Sequence, residues 1–425
     1  MKTIERRLFL QSMAVPSALL AVTPVKAAGG SYSVGVGHSN EPYRAAKTAI
    51  NACGQFPSKQ MAGKTVISKP NLVIDAPSTS GITTDPQVVR AVVDLALAAG
   101  AAQVVIAEGS CVQPAPFAAC GYGFFLTYDP QGRIQLVDLC QRAVSLLKVP
   151  GGGMVHRRLW LPDTVIGPDA IFISVAKLKT HLSVGATLSM KNLVGLASPT
   201  IYGVANQWPR QDLHNRGIAE SIIDLNTTRP IDFAVIDGVW GMEGQGPTSG
   251  TAIEADLVFA GLNPVAVDMV AVSAMGLPQN TVPYLSYAAG MGMGPSGLGN
   301  ITIKGDAFTP MAFAPAVTPP IVWRPNPNPT SIGPGQSSSI SYAIPLACET
   351  RFEIIQDSDQ SPDVVLVRTL HDWEVRPPGT ETMIWNGMSD AGAVVAPGWY
   401  LARVQARFGP TDAINYASAL MTVTA

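Results

Sequence analysis

Two hydrophobic periods alternate along the first three hundred residues. Between Pro42 and Cys53, the residues Ala45, Ala46, Ala49 and Ile50 recur at helical spacing and predict a helix. A β-branched strand over residues 65–68 follows, running into Lys69-Pro70-Asn71. After a loop of about a dozen residues, Asp85-Pro86 supplies an N-cap and a first-turn proline for a second helix. Val88, Val89, Val92, Val93 and Ala96 make its apolar face, and Gly100 stops it. Residues 103–107 are the next strand, ending in Glu108-Gly109-Ser110. Strand, helix and strand in this order define a βαβ unit, hence parallel pairing with a right-handed crossover. Strands over residues 32–36, 135–139, 170–175, 233–236 and 257–260, with helices over 218–225 and 264–275, extend the pattern. The expected class is α/β, a mostly parallel sheet with flanking helices. No internal repeat is present.

From residue 308 to 334 the pattern breaks into a proline-rich stretch, which reads as a stiff linker. Beyond it, short strands over 337–344, 350–356, 364–370, 381–385 and 400–407 are separated by turn residues such as Asn386-Gly387 and Pro397-Gly398. That spacing predicts a small all-β sandwich. The expected division is a leader over 1–27, an α/β domain over 31–307, the linker over 308–334 and the sandwich over 335–425.

Composition narrows the function classes. The 425 residues carry a net charge of −2, which argues against a nucleic-acid binder acting through bulk electrostatics. The five cysteines contain no C-x-x-C pair, so no iron–sulfur cluster or cysteine-ligated zinc is expected. Cys111 and Cys120 can bridge in an oxidising compartment, and the other reading is reduced core thiols. Arg6-Arg7 ahead of an apolar run and Val25-Lys26-Ala27 resembles a twin-arginine signal with a small-residue cleavage site. The expectation is recognition by the twin-arginine translocase and residence in the periplasm or cell envelope, with an uncleaved anchor as the alternative.

The candidate chemistry sits where strands end. In a parallel sheet the strand C-termini share one edge, so Lys69, Asn71, Glu108, Ser110, Lys177, Lys179, His181 and Asp237 can converge there. Lys191 and Asn192 follow ten residues after His181, and His214 and Glu243 lie in later loops. Lysines offer charge and three donors each to phosphate or carboxylate. Asn71, Ser110 and Asn192 can orient a ligand. Glu108, Asp237 and Glu243 can serve as acid, base or divalent-metal ligands, and His181 with His214 and one of these acids suits zinc or iron. The competing reading for Glu108 and Asp237 is ion pairing with the same lysines, and for the histidines a hydrogen-bonded structural role. H-E-x-x-H, Walker and G-x-S-x-G motifs are absent.

Lys69-Pro70-Asn71, Thr84-Asp85-Pro86, Glu108-Gly109-Ser110, Lys177-Leu178-Lys179-Thr180-His181, Lys191-Asn192, Asp237-Gly238 and Glu243-Gly244-x-Gly246-Pro247 together resemble the bacterial and archaeal family known as domain of unknown function 362, over about residues 33 to 300. The resemblance implies no assigned activity. Some relatives carry ferredoxin-type cysteine clusters, which this chain lacks. Pro325-Asn326-Pro327, Trp385-Asn386-Gly387, Asp390-x-Gly392 and Pro397-Gly398-Trp399-Tyr400 resemble the immunoglobulin-like domain of flagellar hook-capping proteins, which implies a spacer or protein-docking module. The leading expectation is an exported enzyme or binding domain for a small anionic molecule, with a divalent metal as an open option. The alternatives are a non-catalytic exported binding or surface-display protein, and a redox protein stripped of its clusters.

Overall fold

The computed structural model describes residues 32–425 apart from 168, 204–206, 318 and 358–364. The signal expected over residues 1–27 lies outside the described residues. Among those described, no helix is long and apolar enough to cross a membrane.

The principal elements run β1 (Tyr32–His38), α1 (Pro42–Cys53), β2 (Thr65–Lys69), α2 (Pro86–Ala98), β3 (Gln103–Glu108), β4 (Ile134–Asp138), β5 (Val144–Lys148), β6 (Arg158–Pro162), β7 (Ala170–His181), β8 (Gly185–Thr187), α3 (Gln211–Thr228), β9 (Phe233–Glu243), β10 (Thr251–Gly261), α4 (Pro264–Ala274), α5 (Pro283–Gly290) and β11 (Ile301–Gly305). The large sheet has the order β11-β1-β10-β9-β7-β2-β3-β4, with β8 added to β7. Its central strands are buried on both faces, as expected of strands covered by helices on both sides, while the edge strand β11 is exposed. Ile171, Ile173 and Val175 of β7 join Val104, Val235 and the apolar faces of α1 and α2 in one core. Phe172 and Ala176 point the other way, with Val105, Ile236 and Phe259, into a second core with α3, α4 and α5. Asp85 caps α2 by accepting from the Gln87 N–H at 2.8 Å.

The sheet is mixed, where the pattern predicts a mostly parallel one. β2, β3, β4, β7 and β9 run parallel to one another, as do β1 and β11, but β10 runs antiparallel to both β9 and β1, and β8 to β7. Residues 244–250 join β9 to β10. A parallel return needs a crossover of about a dozen residues or more, so this connection turns β10 back on β9. Two further differences bear on the site. β7 continues to His181, so Lys177, Lys179 and His181 lie within a strand and share one face by its two-residue repeat. β9 likewise continues through Asp237 to Glu243. Lysines inside a buried strand run against composition rules, and only long-range partners make them tolerable.

The C-terminal part contains β12 (Asn326–Asn328), β13 (Ser331–Ile332), β14 (Ser338–Ile344), β15 (Cys348–Gln356), β16 (Val365–Arg376), β17 (Gly379–Trp385), β18 (Gly398–Arg407) and β19 (Asn415–Val423). They form a three-stranded sheet, β12-β14-β17, and a five-stranded sheet, β13-β19-β18-β15-β16. Ile340, Tyr342 and Trp385 from the first share a core with Phe352, Tyr400 and Val404 from the second.

The proline-rich stretch lies on the α/β body. The Met311 and Phe313 N–H groups donate to Ala274 and Met275 carbonyls at 2.7 and 3.0 Å, and Phe313 is buried. The C-terminal sheets also pack on that body. Val155 shares a buried cluster with Ile355, Leu401 and Leu420, and Arg216 of α3 pairs with Asp357.

Candidate functional site

A cavity of about 530 Å³ opens where β2 and β7 meet the 3-10 segment Lys191–Leu196. Its floor is a hydrogen-bonded lattice. Lys69 is buried and donates to Glu108 Oε1 at 2.7 Å, to the Pro70 carbonyl at 3.0 Å and to Asn192 Oδ1 at 3.2 Å. Glu108 accepts in addition from the Gly109 N–H at 2.7 Å and the Leu72 N–H at 2.6 Å. Its oxygens are thus committed to ground-state partners. Asn192 donates to the Lys69 carbonyl and Ser174 Oγ at 3.0 and 3.1 Å, while its oxygen also accepts from Asn71 Nδ2 at 3.2 Å. This one amide therefore ties the 3-10 segment to β2 and β7. A Cβ on Gly195 would lie 2.6 Å from Lys69 Nζ and 2.7 Å from Glu108 Oε1, so glycine at this position lets the segment close over the pair.

Lys177 and Lys179, two residues apart on one face, have different fates. Lys177 pairs with Asp237 across the β7–β9 ladder at 2.7 Å, both fully buried and outside the cavity. Asp237 also accepts from the Asp85 and Val239 N–H groups at 2.8 and 3.1 Å, which fastens the start of α2 to β9. Lys179 lines the cavity and has no carboxylate partner among the described residues. It donates to Asn71 Oδ1 at 3.0 Å and the Ile82 carbonyl at 2.7 Å. Burial first, then the neighbouring Lys191 and Lys177, pull its pKa well below that of an ordinary lysine.

Lys191, His181 and His214 complete this side. Lys191 is 8% exposed and, alone among the four candidate lysines, has neither hydrogen-bond nor ion-pair partner among the described residues. Burial lowers its pKa to about 8. The His181 and His214 rings stack with centroids 6.1 Å apart. Burial, reinforced by Lys191, pushes His181 well below its usual range and His214 to about 3, so both are neutral at pH 7. His181 Nδ1 accepts the Ser183 N–H at 3.1 Å, which puts the ring proton on Nε2. The Ser189-Met190 turn preceding Lys191 is held by Asp268, which accepts from both backbone N–H groups at 2.9 and 3.1 Å and from the Ser189 hydroxyl.

Sequence reasoning missed Arg210. It starts α3 in the left-handed region, φ +66°, a conformation costly for a residue with a Cβ. Its guanidinium is buried, donates to the Gly109 carbonyl at 2.7 Å and to the Ala197 carbonyl, and meets no carboxylate among the described residues. No motif contains it. The only signal was its position next to Trp208, His214 and Asn215 in a segment read as a loop. Also unforeseen was the far wall, which comes from residues 412–416 at the entry to β19. There Asn415 Nδ2 donates to the Ser183 carbonyl at 2.9 Å.

Of the expected site residues, Lys69, Asn71, Glu108, Lys179, His181, Lys191, Asn192 and His214 line the cavity. Four others lie outside it. Lys177 and Asp237 pair with each other. The Ser110 hydroxyl donates to the Val73 carbonyl at 3.0 Å, and Glu243 accepts the Ala314 N–H of the proline-rich stretch at 2.7 Å. Among the described residues no group of three or more His, Cys, Asp or Glu side chains is placed to hold a metal ion.

Residues 66–273, which include every site residue of the α/β body, match the family model of a domain of unknown function (DUF362). The thylakoid-associated protein sll1697 of Synechocystis sp. is 25% identical over 255 residues, covering 59% of this chain and 75% of that protein. Solved structures align only locally. An uncharacterized protein from Bacillus anthracis covers 22% of this chain and 76% of its own at 15% identity and a TM-score of 0.17. The CARDB domain of the PF1109 protein from Pyrococcus furiosus covers 24% of this chain and 88% of its own at 10% identity and a TM-score of 0.15. Likeness at this level says nothing of what the cavity holds.

Proposed function

We propose that the cavity binds a small phosphate- or carboxylate-bearing molecule. The observation that carries this reading is the imbalance of charge on its lining. Lys69, Lys179, Lys191 and Arg210 face two acids, Glu108, which is spent on Lys69, and Asp412, which is exposed at the rim. Lysines depressed by burial and mutual repulsion regain their protons when an anion arrives, so binding takes up protons and weakens as pH rises through 8. Beyond Asp412 at the rim, the wall from the C-terminal sheets adds the uncharged Asn415 and Tyr416 on the other side of the cavity.

The chain is, on this reading, exported by the twin-arginine route to the periplasm or cell envelope, and its C-terminal sheets form an immunoglobulin-like module. The twin arginines support the first statement, and the two sheets sharing one core support the second. The thylakoid-associated relative is compatible with an envelope location. Thermal unfolding with inorganic phosphate, pyrophosphate and citrate at low salt tests the site. The expected result is stabilisation that rises with anion concentration, shrinks with added NaCl and is lost in Lys179→Met. Absence of stabilisation by every anion at low salt overturns the reading.

A further inference from the structure

Three lysines near the cavity are tied down and one is not. Lys69 and Lys177 hold carboxylates, and Lys179 donates to an amide oxygen and a carbonyl. Lys191 reaches the cavity with its nitrogen unpartnered among the described residues. Its backbone, by contrast, is fixed on both sides. Asp268 holds the turn before it, the Met190 carbonyl accepts from Asn226 Nδ2 at 2.9 Å, and the next residue is the Asn192 clamp. The groups electrostatically coupled to it are Lys179 and His181 from β7, His214 from α3, and Arg210 and Cys111 from the flanking loops, none of them a carboxylate. A buried ammonium with no counter-ion is costly, and the group relieves the cost by shedding its proton. An amine desolvated beside other cations is the arrangement that turns lysine into a nucleophile toward carbonyl carbon.

We propose that Lys191 forms an imine with an anion that also carries an aldehyde or ketone, the class that includes 2-oxo acids and aldehyde phosphates. The proposal rests on the anion-binding reading, because Lys179 and Arg210 seat the negative group while Lys191 reaches the carbonyl. The lone pair of Lys191 Nζ forms the C–N bond as the C=O π pair moves to oxygen. The nitrogen gives up a proton and the oxygen gains one, producing a carbinolamine. Loss of that oxygen as water leaves the imine. One amine and one carbonyl yield one imine and one water, with no oxidant or reductant. The neutral His181 ring presents Nε2–H as a hydrogen-bond donor to the oxygen on which negative charge develops, while solvent carries the proton from nitrogen to oxygen. The depressed pKa of Lys191, about 8, leaves a usable fraction of free amine near neutrality.

The test uses the full chain with pyruvate and glycolaldehyde phosphate as probes and sodium cyanoborohydride as trap at pH 7. L-lactate and inorganic phosphate are the matched anions without a carbonyl. Peptide mapping by mass spectrometry should find one reduced adduct on Lys191, formed faster than on exposed lysines such as Lys59 and suppressed by excess phosphate. Lys191→Arg keeps the charge and removes the nucleophile, so it should lose the adduct at every probe concentration, whatever change its thermal shifts show in lactate and phosphate affinity. Adduct spread over surface lysines with none on Lys191, while the matched anions still bind, overturns the imine and spares the anion site. No stabilisation of the parent protein by any of the four compounds overturns both.

Discussion

Replacing Lys177 by Met separates structure from site within one strand. The substitution removes the partner of Asp237 and leaves a carboxylate at 0% exposure. Breaking a buried pair from one side costs about 3–5 kcal/mol. Asp237 would keep the Asp85 and Val239 N–H groups, so the loss should fall at the lower end, about 3 kcal/mol. Adding Asp237→Asn removes the orphaned charge and keeps an oxygen for the Asp85 N–H. The double variant should recover to within about 1 kcal/mol of the parent. Lys179→Met should behave differently. It forfeits bonds to Asn71 and Ile82 but also removes a cation that burial and its neighbours oppose, so the change should stay within about 1 kcal/mol. Urea unfolding at pH 7, followed by tryptophan fluorescence, measures all three. If Lys177→Met unfolds within about 1 kcal/mol of the parent, the pair does not fasten β9 to α2 and the division between the two lysines fails.

Lys191→Met should raise stability at pH 7 while weakening anion binding. A shift from 10.5 to about 8 penalises the folded state in full below the folded value and not at all above the unfolded one, an upper bound of about 3 kcal/mol; a loss of stability in urea would contradict this. Gly195→Ala should cost about 1–3 kcal/mol and weaken phosphate binding, because its methyl group displaces the Lys69–Glu108 pair; unchanged thermal shifts would count against it. Glu220, buried against the kinked Gly217 of α3, has its pKa raised by burial to about 8. The folded state therefore holds an extra proton between the unfolded value near 4.5 and about 8, and stability should fall as pH rises through that window by up to about 1.4 kcal/mol per unit. Glu220→Gln should flatten that slope in denaturation series between pH 5 and 8.

What could be read from the residues was what short range determines. Helix α1 and the Asp85-capped α2 follow from apolar spacing and one capping side chain, and each starts and stops within a residue or two of the expected place. The reach of β7 was not legible, because its last six residues are held by β8, β9 and Asp237, and strand propensity carries no trace of those partners. The same limit divides the lysines. Spacing put Lys177 and Lys179 together, but only the register opposite β9 decides that one meets a carboxylate and the other a cavity. The ion-pair alternative holds for both Glu108 and Asp237. Prolines in residues 308–334 announced an extended backbone, yet the seating of Phe313 depends on a groove built elsewhere in the chain.

The wall at residues 412–416 has a consequence for how the protein is made. Asn415 donates to the Ser183 carbonyl across 232 residues of sequence. At roughly 5–20 residues per second, a ribosome needs about 10–50 s to travel from one to the other. For that interval the lysines of β7 and the Lys191 turn exist without their far wall, and the cavity is an open trough. On the anion-binding reading, a nascent chain has only the cationic side of the site until the last strand is in place. The finished cavity thus reports on the finished fold, since its far wall exists only in a chain whose final sheet has closed.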